Sequence, residues 1–236
     1  MDRQFAQGVQ FLANNGLNLF ASLRCVELPE ALQTQLRHGN VPVDDYSHLL
    51  LTGHGGRLLW QKLQEVGMET ADPVDTFSTQ LTTQFITDYL SNPPHLMLYP
   101  FGDYLVPLTQ LGEWAGWSHP SPIGQGIHAQ FGVWFAYRTA VLVNGDFPTT
   151  PRPQTTSPCQ GCVDKPCIST CPAGAAREDA FHISPCVNFR LGDNSLCADR
   201  CLARMACPVA PQHRYTLPQI QYHYTHSLTT IRQWMG

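Results

Sequence analysis

Eight of the chain's nine cysteines fall between residues 159 and 207, and their spacing leaves few ways to fold that stretch. The first group is Cys159-x2-Cys162-x4-Cys167-x3-Cys171-Pro172; the second is Cys186, then Cys197-x3-Cys201-x5-Cys207-Pro208. Unrelated core cysteines do not crowd so closely. A disulfide framework suits small secreted chains, not one of 236 residues. Two zinc sites would also use eight thiolates and stay the alternative, although zinc knuckles usually pair C-x2-C with C-x2-C and only one C-x2-C is present. The bacterial iron–sulfur run is C-x2-C-x2-C-x3-C-P, whose fourth cysteine ligates the other cluster. The first group follows that run with two residues inserted before its third cysteine. Eight thiolates in this order predict two [4Fe-4S] clusters with Cys159, Cys162, Cys167, Cys171, Cys186, Cys197, Cys201 and Cys207 as metal ligands. Proline after Cys171 and Cys207 fixes φ and lacks an N–H, so each Cys-Pro predicts a short helix just after the ligand, PAGAAR (172–177) in the first case. The ninth, Cys25, falls in a predicted strand and reads as a small core residue.

Charge is distributed unevenly around this region. Residues 1–150 carry 6 Lys/Arg against 13 Asp/Glu, a net of −7; residues 151–236 carry 8 against 5, a net of +3. The basic part is the cysteine-rich part, and a buried anionic centre there would favour that placement. The overall net of −4 argues against a general nucleic-acid binder. MDRQFAQGVQFLANNG has mixed charges and no long apolar core, so no secretory signal is expected. No run of about 20 apolar residues predicts a membrane span. The expected location is the cytosol, where thiols stay reduced and cysteine clusters bind metal.

Upstream, the pattern reads as an α/β layer. Helical spacing covers 3–13, and 16–28 reads as a strand. A short helix runs from Pro29 to Leu36. Residues 47–67 read as a buried strand, a glycine turn and a helix with Leu58, Leu59, Leu63 and Val66 inward. The stretch 72–90 is a longer helix, with Asp72 as N-cap and Pro73 at its first position. Strand-like 95–100 and helical 107–117 follow. FGVWFAYRTAVLVNGD (131–146) is the strongest strand, stopped by Asn-Gly-Asp. FPTTPRPQTTSP (147–158) is an aperiodic linker. The expected division is therefore an α/β domain over 1–146, the linker, a cluster domain over 159–215, and a closing helix over 216–236. That helix carries Leu217, Ile220, Tyr224, Leu228 and Ile231 on one face.

The order of four cysteines with CP, a lone cysteine, then three ending in CP resembles the epoxyqueuosine reductases, which share their architecture with corrinoid-dependent reductive dehalogenases. The resemblance implies one cluster on Cys159, Cys162, Cys167 and Cys207 and another on Cys171, Cys186, Cys197 and Cys201. Upstream, AGWSHPSPIGQGIHAQFGVWFAYR (115–138) is similar to the family segment AGLGWIGKNTLLI-x-P-x-[FY]-G-S-W-F-F, most clearly at Ala115, Gly116, Trp117, Ile127, Phe131, Gly132, Trp134 and Phe135. In the family this segment helps enclose a cobalamin in a nitroreductase-like α/β layer. The resemblance thus implies an α+β fold: a nitroreductase-like layer, a bacterial ferredoxin-like two-cluster module and a C-terminal helix. SHPSPIGQ replaces the family's IGKNT, three cysteine loops are longer, and the family's C-terminal helical repeats and basic tRNA surface are not expected here.

On this resemblance the cofactor-binding candidates are Gly116, Trp117, Gly124, Gly126, His128, Gly132, Trp134 and Arg138, with cobalamin as the further cofactor. Glycines let a flat ring approach the backbone, aromatic side chains give apolar walls, and Arg138 within a strand needs a partner such as a cofactor carboxylate or phosphate. Core packing is the competing role for the tryptophans. Asp103, in FGDYLVP, is the candidate catalytic acid. TGHGGR (52–57), with His54, reads either as a plain tight turn or as an anion-binding turn; His119 is a loop histidine. The expected function is a cytosolic iron–sulfur reductase fed by an external ferredoxin- or flavodoxin-type donor and acting on a small molecule. The alternative is a non-catalytic ferredoxin-like electron carrier. Neither membrane nor nucleic acid is expected as a partner.

Overall fold

In the computed structural model, which describes residues 2–235, the chain divides into two units. One comprises residues 1–117 and 135–154, the other 118–134 and 155–236. The linker 147–158 thus contains one changeover, and residues 118–134 group with the cysteine-rich region rather than with the sequence on either side of them. Met1 and Gly236, at the ends of the expected first domain and closing helix, lie outside the described residues.

The first unit is mixed α+β. In chain order it contains α1 Asp2–Asn14, β1 Leu19–Arg24, α2 Glu30–His38, β2 His48–Gly55, α3 Leu58–Val66, α4 Pro73–Tyr89, β3 His95–Tyr99, α5 Leu108–Trp114 and β4 Phe135–Val143. The strands form one sheet in the order β1-β2-β4-β3, with every pair antiparallel. β2 is buried along its whole length, as its uninterrupted LLLT run requires: a strand with no polar side must be covered on both faces. α4 starts with Pro73 at its first position and packs against β4, with α1 packed on α4. Its buried hydroxyls join the sheet: Thr82 Oγ1 lies 3.1 Å from Thr139 Oγ1 on β4, which lies 2.7 Å from Thr52 Oγ1 on β2. The rings of Phe5, Phe20 and Phe85 meet edge-on, with centroids 5.5 to 6.0 Å apart. Phe85 is fully buried. Phe85→Ala is expected to cost about 3–5 kcal/mol in urea unfolding; a loss below about 1 kcal/mol would remove these rings as the anchor of the unit.

Several local expectations give way. The predicted strand over 16–28 is ordered as a strand only at Leu19–Arg24; Cys25 sits in a following 3-10 turn, buried, with its thiol pushed up to about 12 by burial and then by Asp44. TGHGGR is no turn through most of its length: β2 continues to Gly55, and the chain turns at Gly56, where φ is 75°. Val66 at the end of α3 is exposed. The strand expected from Phe131 begins at Phe135, because Gly132 takes φ 58° and His128 and Gly132 exchange backbone hydrogen bonds, which folds 128–132 back on itself.

The second unit is built from short pieces: α6 Pro166–Ser169, α7 Ile183–Leu191, α8 Leu202–Met205 and α9 Leu217–Met235, linked by loops. Its core gathers Ile123, Ile127, Trp134, Ala203, Tyr215 and Ile220, with several cysteines packed against it. α9 packs against α7. Of the predicted apolar face of α9, Ile220 and Leu228 are buried, Tyr224 and Ile231 are half-buried and Leu217 is exposed. PAGAAR is not helical. Gly174 takes φ 58° and donates to Cys171 O, and Ala176 then bridges to Phe181. No helix follows Cys207-Pro208 directly either. The proline that opens a helix is Pro166, one residue before Cys167. Among the described residues no helix is long and apolar enough to cross a membrane.

Candidate functional site

The eight cysteines are carried on the short elements of the second unit. Cys159 lies in the 3-10 turn Pro158–Gly161, Cys167 in α6 and Cys186 in α7, while Cys201 and Cys207 flank α8. Burial is the first cause that pushes up the thiols of Cys159, Cys167 and Cys207. Neighbouring thiols add to it: Cys207 and Cys162 act on Cys159; Cys207, Cys159 and Cys162 act on Cys167; Cys162 acts on Cys207. Burial likewise raises Cys186 and Cys197, with Cys201 and Cys171 adding to both. These thiol–thiol influences run within two sets, Cys159–Cys162–Cys167–Cys207 and Cys171–Cys186–Cys197–Cys201.

No group of three or more His, Cys, Asp or Glu side chains among the described residues is arranged to hold a single metal ion. The four members of the second set line one cavity of about 600 Å³, walled further by Ile183, Val187 and Tyr224.

What surrounds the sulfurs suits an anion. The Arg204 backbone N–H donates to Cys201 Sγ at 3.4 Å. Against the burial that dominates, backbone N–H groups of Leu202 and Val209 pull the Cys197 and Cys207 thiols down. Three buried nitrogen atoms of this unit, the donors Trp134 Nε1 and Arg214 Nε and the ring nitrogen His182 Nε2, have no hydrogen-bond partner among the described residues. Buried N–H groups are normally paired, so these two donors are available to an acceptor. Sequence reasoning missed Arg190 and Arg204, both buried beside the thiols. The signal was present in the net positive charge of the cysteine-rich region.

The residues assigned to a corrin face are engaged by the chain itself. A Cβ on Gly116 would come 2.8 Å from Pro153 Cδ, one on Gly124 2.5 Å from the Phe181 ring, and one on Gly132 2.6 Å from Val209 O. Gly126 is half-buried. Trp117 is buried and stacks on Tyr137 at 6.0 Å. Trp134 is fully buried in the second unit's core, with Tyr215 against its edge at 5.5 Å and Arg204 over its ring at 4.9 Å. His128 accepts from the Gln130 and Phe131 backbone N–H groups through Nδ1, and burial, with His119 and His213 nearby, lowers it to about 4. It therefore acts as a neutral brace of the 128–132 turn. Arg138 finds its partners within its own unit: its Nε donates to His54 Nδ1 at 3.0 Å, and Asp75 lies 3.8 Å away. The register between β2 and β4 shifts by one residue here, from Thr52–Thr139 to Gly53–Tyr137, leaving Arg138 at a bulge. Asp103 lies exposed on the bend after β3, in solvent rather than in an enclosed site. Of these glycines, Gly124 is exposed and lines the cavity of the second cysteine set, while Gly116 and Gly132 pack closely against Pro153 and Val209.

No family model matches the chain, and no curated protein matches it. Solved structures do. The structure of epoxyqueuosine reductase from Streptococcus thermophilus superposes with a TM-score of 0.58 at 10% identity, over 87% of this chain and 65% of that one, so this chain spans less than two thirds of that protein's length. An epoxyqueuosine reductase with a tRNA-Tyr epoxyqueuosine-modified stem loop gives 0.55 at 11% identity, over 93% and 68%. The C. elegans B12-trafficking protein CblC, a human MMACHC homologue, gives 0.54 at 16% identity, over 98% of this chain and 96% of that one. At these identities the likeness is one of fold, and the chain's fold is of the kind seen in epoxyqueuosine reductases and in CblC.

Proposed function

We propose that the chain is an iron–sulfur redox protein holding two [4Fe-4S] clusters in a ferredoxin-like module. Cys159, Cys162, Cys167 and Cys207 hold one cluster and Cys171, Cys186, Cys197 and Cys201 the other. The observation that carries this reading is the sorting of the thiols into two sets with the membership that the family resemblance implies. The unpartnered Trp134 and Arg214 donors and the N–H groups aimed at Cys197, Cys201 and Cys207 support it, because hydrogen bonds to sulfur are among the means by which a protein tunes such centres. Bound clusters supply one-electron transfer. The chain's part is to keep the thiolates in place, exclude water with the core around Trp134, and surround the sulfurs with donors. The electrons come from a ferredoxin- or flavodoxin-type donor and go to a small-molecule substrate or a corrinoid on the nitroreductase-like first unit.

The corrinoid part of this reading rests on the fold shared with a B12-trafficking protein along nearly the whole of both chains. The close packing of Gly116 and Gly132 against Pro153 and Val209 favours the second reading, a ferredoxin-like electron carrier. The fold shared with a reductase solved on a tRNA stem loop brings a nucleic acid into view against the expectation of none. Titrating the iron-loaded, reduced protein with cob(II)alamin separates the first two readings. Retained corrinoid with a spectral change below about 100 μM (roughly −5.5 kcal/mol) is expected of the reductase; no retention leaves the electron carrier. Gly132→Leu cannot serve as the control, since the new side chain would meet Val209 O and report folding.

A further inference from the structure

Two guanidinium groups are buried in the second unit, those of Arg190 and Arg204, each 7% exposed. Neither has a carboxylate within 4 Å among the described residues; the ion pairs of this unit involve Lys165 and Arg200 instead. A buried charge without a counter-charge is costly, and buried charges are ordinarily paired. The two groups are nevertheless held firmly. Arg204 donates through Nε and Nη2 to Val133 O at 3.1 and 2.6 Å and lies between the Trp134 and Tyr215 rings, 4.9 Å from each centroid. Arg190 donates to Cys197 O, Ser227 Oγ and Tyr224 O at 3.2, 3.0 and 2.8 Å. All these acceptors are neutral, so none of them supplies a counter-charge.

The thiols supply what is missing. Arg190 lines the same cavity as Cys171, Cys186, Cys197 and Cys201 and hydrogen-bonds the Cys197 carbonyl, so it belongs with that set. The Arg204 backbone N–H donates to Cys201 Sγ of that same set, and its guanidinium lies over Trp134, in the core that also holds Cys207 of the other set; Arg214, 5.6 Å from the Trp134 ring, is a further cation on that side. A [4Fe-4S] cluster with four thiolates is a net anion, and net charge is one of the quantities that set its potential.

We infer that Arg190 and Arg204 are the buried counter-cations of the two clusters, Arg190 serving the Cys171–Cys186–Cys197–Cys201 centre alone and Arg204 shared by both. This rests on the cluster reading above. Each one-electron reduction by the external donor adds a negative charge to a centre, and a fixed cation beside it favours the reduced form. Both arginines are therefore positioning residues that raise potentials without touching substrate.

The test is a dye-mediated potentiometric titration, with dithionite as reductant, of the anaerobic two-cluster protein and four variants. Iron content is measured on each sample. Arg190→Met is expected to lower the potential of one centre, and Arg204→Met of both, each by a factor of about ten or more in the reduction equilibrium (about 59 mV for one electron). Arg190→Lys and Arg204→Lys, which keep the charge, are expected to stay closer to wild type. Cys186→Ala identifies which signal belongs to the second centre. Iron-replete methionine variants with unchanged potentials would overturn the inference. So would lysine variants that lose the clusters along with the methionine ones, because charge would then not be what the sites require. Wild-type protein without iron would overturn the cluster reading itself, a separate result from either.

Discussion

Anaerobically purified protein is expected to contain about eight iron atoms and about eight acid-labile sulfides per chain. Single-cysteine variants should divide that iron in two. Cys207→Ala removes a ligand from the set with Cys159, Cys162 and Cys167, and Cys186→Ala removes one from the set with Cys171, Cys197 and Cys201. Each is expected to lose about half of the iron, and the double variant nearly all of it, if each cluster takes all four thiolates of its set. Cys25→Ala should keep full iron, because Cys25 lies in the first unit with its thiol pushed up to about 12 by burial and Asp44. Stoichiometric zinc with little iron would sink the reading. Equal iron loss in both centres from either single variant would show that the sets are wrongly drawn.

Removing the iron is the second large effect. Around its cysteines, between residues 159 and 207, the cysteine-rich unit carries only short helices. α6 and α8 are four residues each, and its buried apolar cluster is small beside that of the sheet unit. Metal binding free energy is then folding free energy, and chelation should release it. After treatment with a chelator and air, residues 118–134 and 155–236 are expected to become protease-sensitive while 2–117 and 135–154 stay resistant, read by limited proteolysis and mass spectrometry of the full chain. The sheet unit is held by Phe5, Phe20 and Phe85 and by the Thr52–Thr139–Thr82 hydroxyl chain, none of which involves sulfur. Equal protection of both units with and without iron would rule out a structural role for the clusters.

Much of this protein is legible locally. The 3.6-residue spacing of Leu59 and Leu63 marked α3, Asp72-Pro73 marked the start of α4, and the apolar runs of β2 and β4 marked two strands that had to be covered on both sides. Cysteine order alone indicated two four-thiolate sets, and the +3 net charge of residues 151–236 indicated that cations would stand near them. All of these are carried by residues close together in sequence, or by a count.

Only the tertiary structure decided the rest. Sheet order β1-β2-β4-β3 pairs His48 with Val143, far apart in sequence, and no periodicity within either strand states its partner. The aromatic and branched run 131–146 read as one strand, yet the φ of Gly132 sends Phe131 to Trp134 into the other unit. Arg138, Gly116, Gly124 and Trp134 resembled cofactor contacts in sequence; in the fold, His54, Pro153, Phe181 and Tyr215 respectively occupy them, because buried charges and bare glycine faces are filled by whatever the chain brings closest. The sequence by itself determined how many cysteines and basic residues the second unit holds. Which cations stand beside which sulfurs was decided by the packing of Arg190 and Arg204 against Tyr224, Tyr215 and Val133, since a charge count carries no distances and electrostatic influence depends on them.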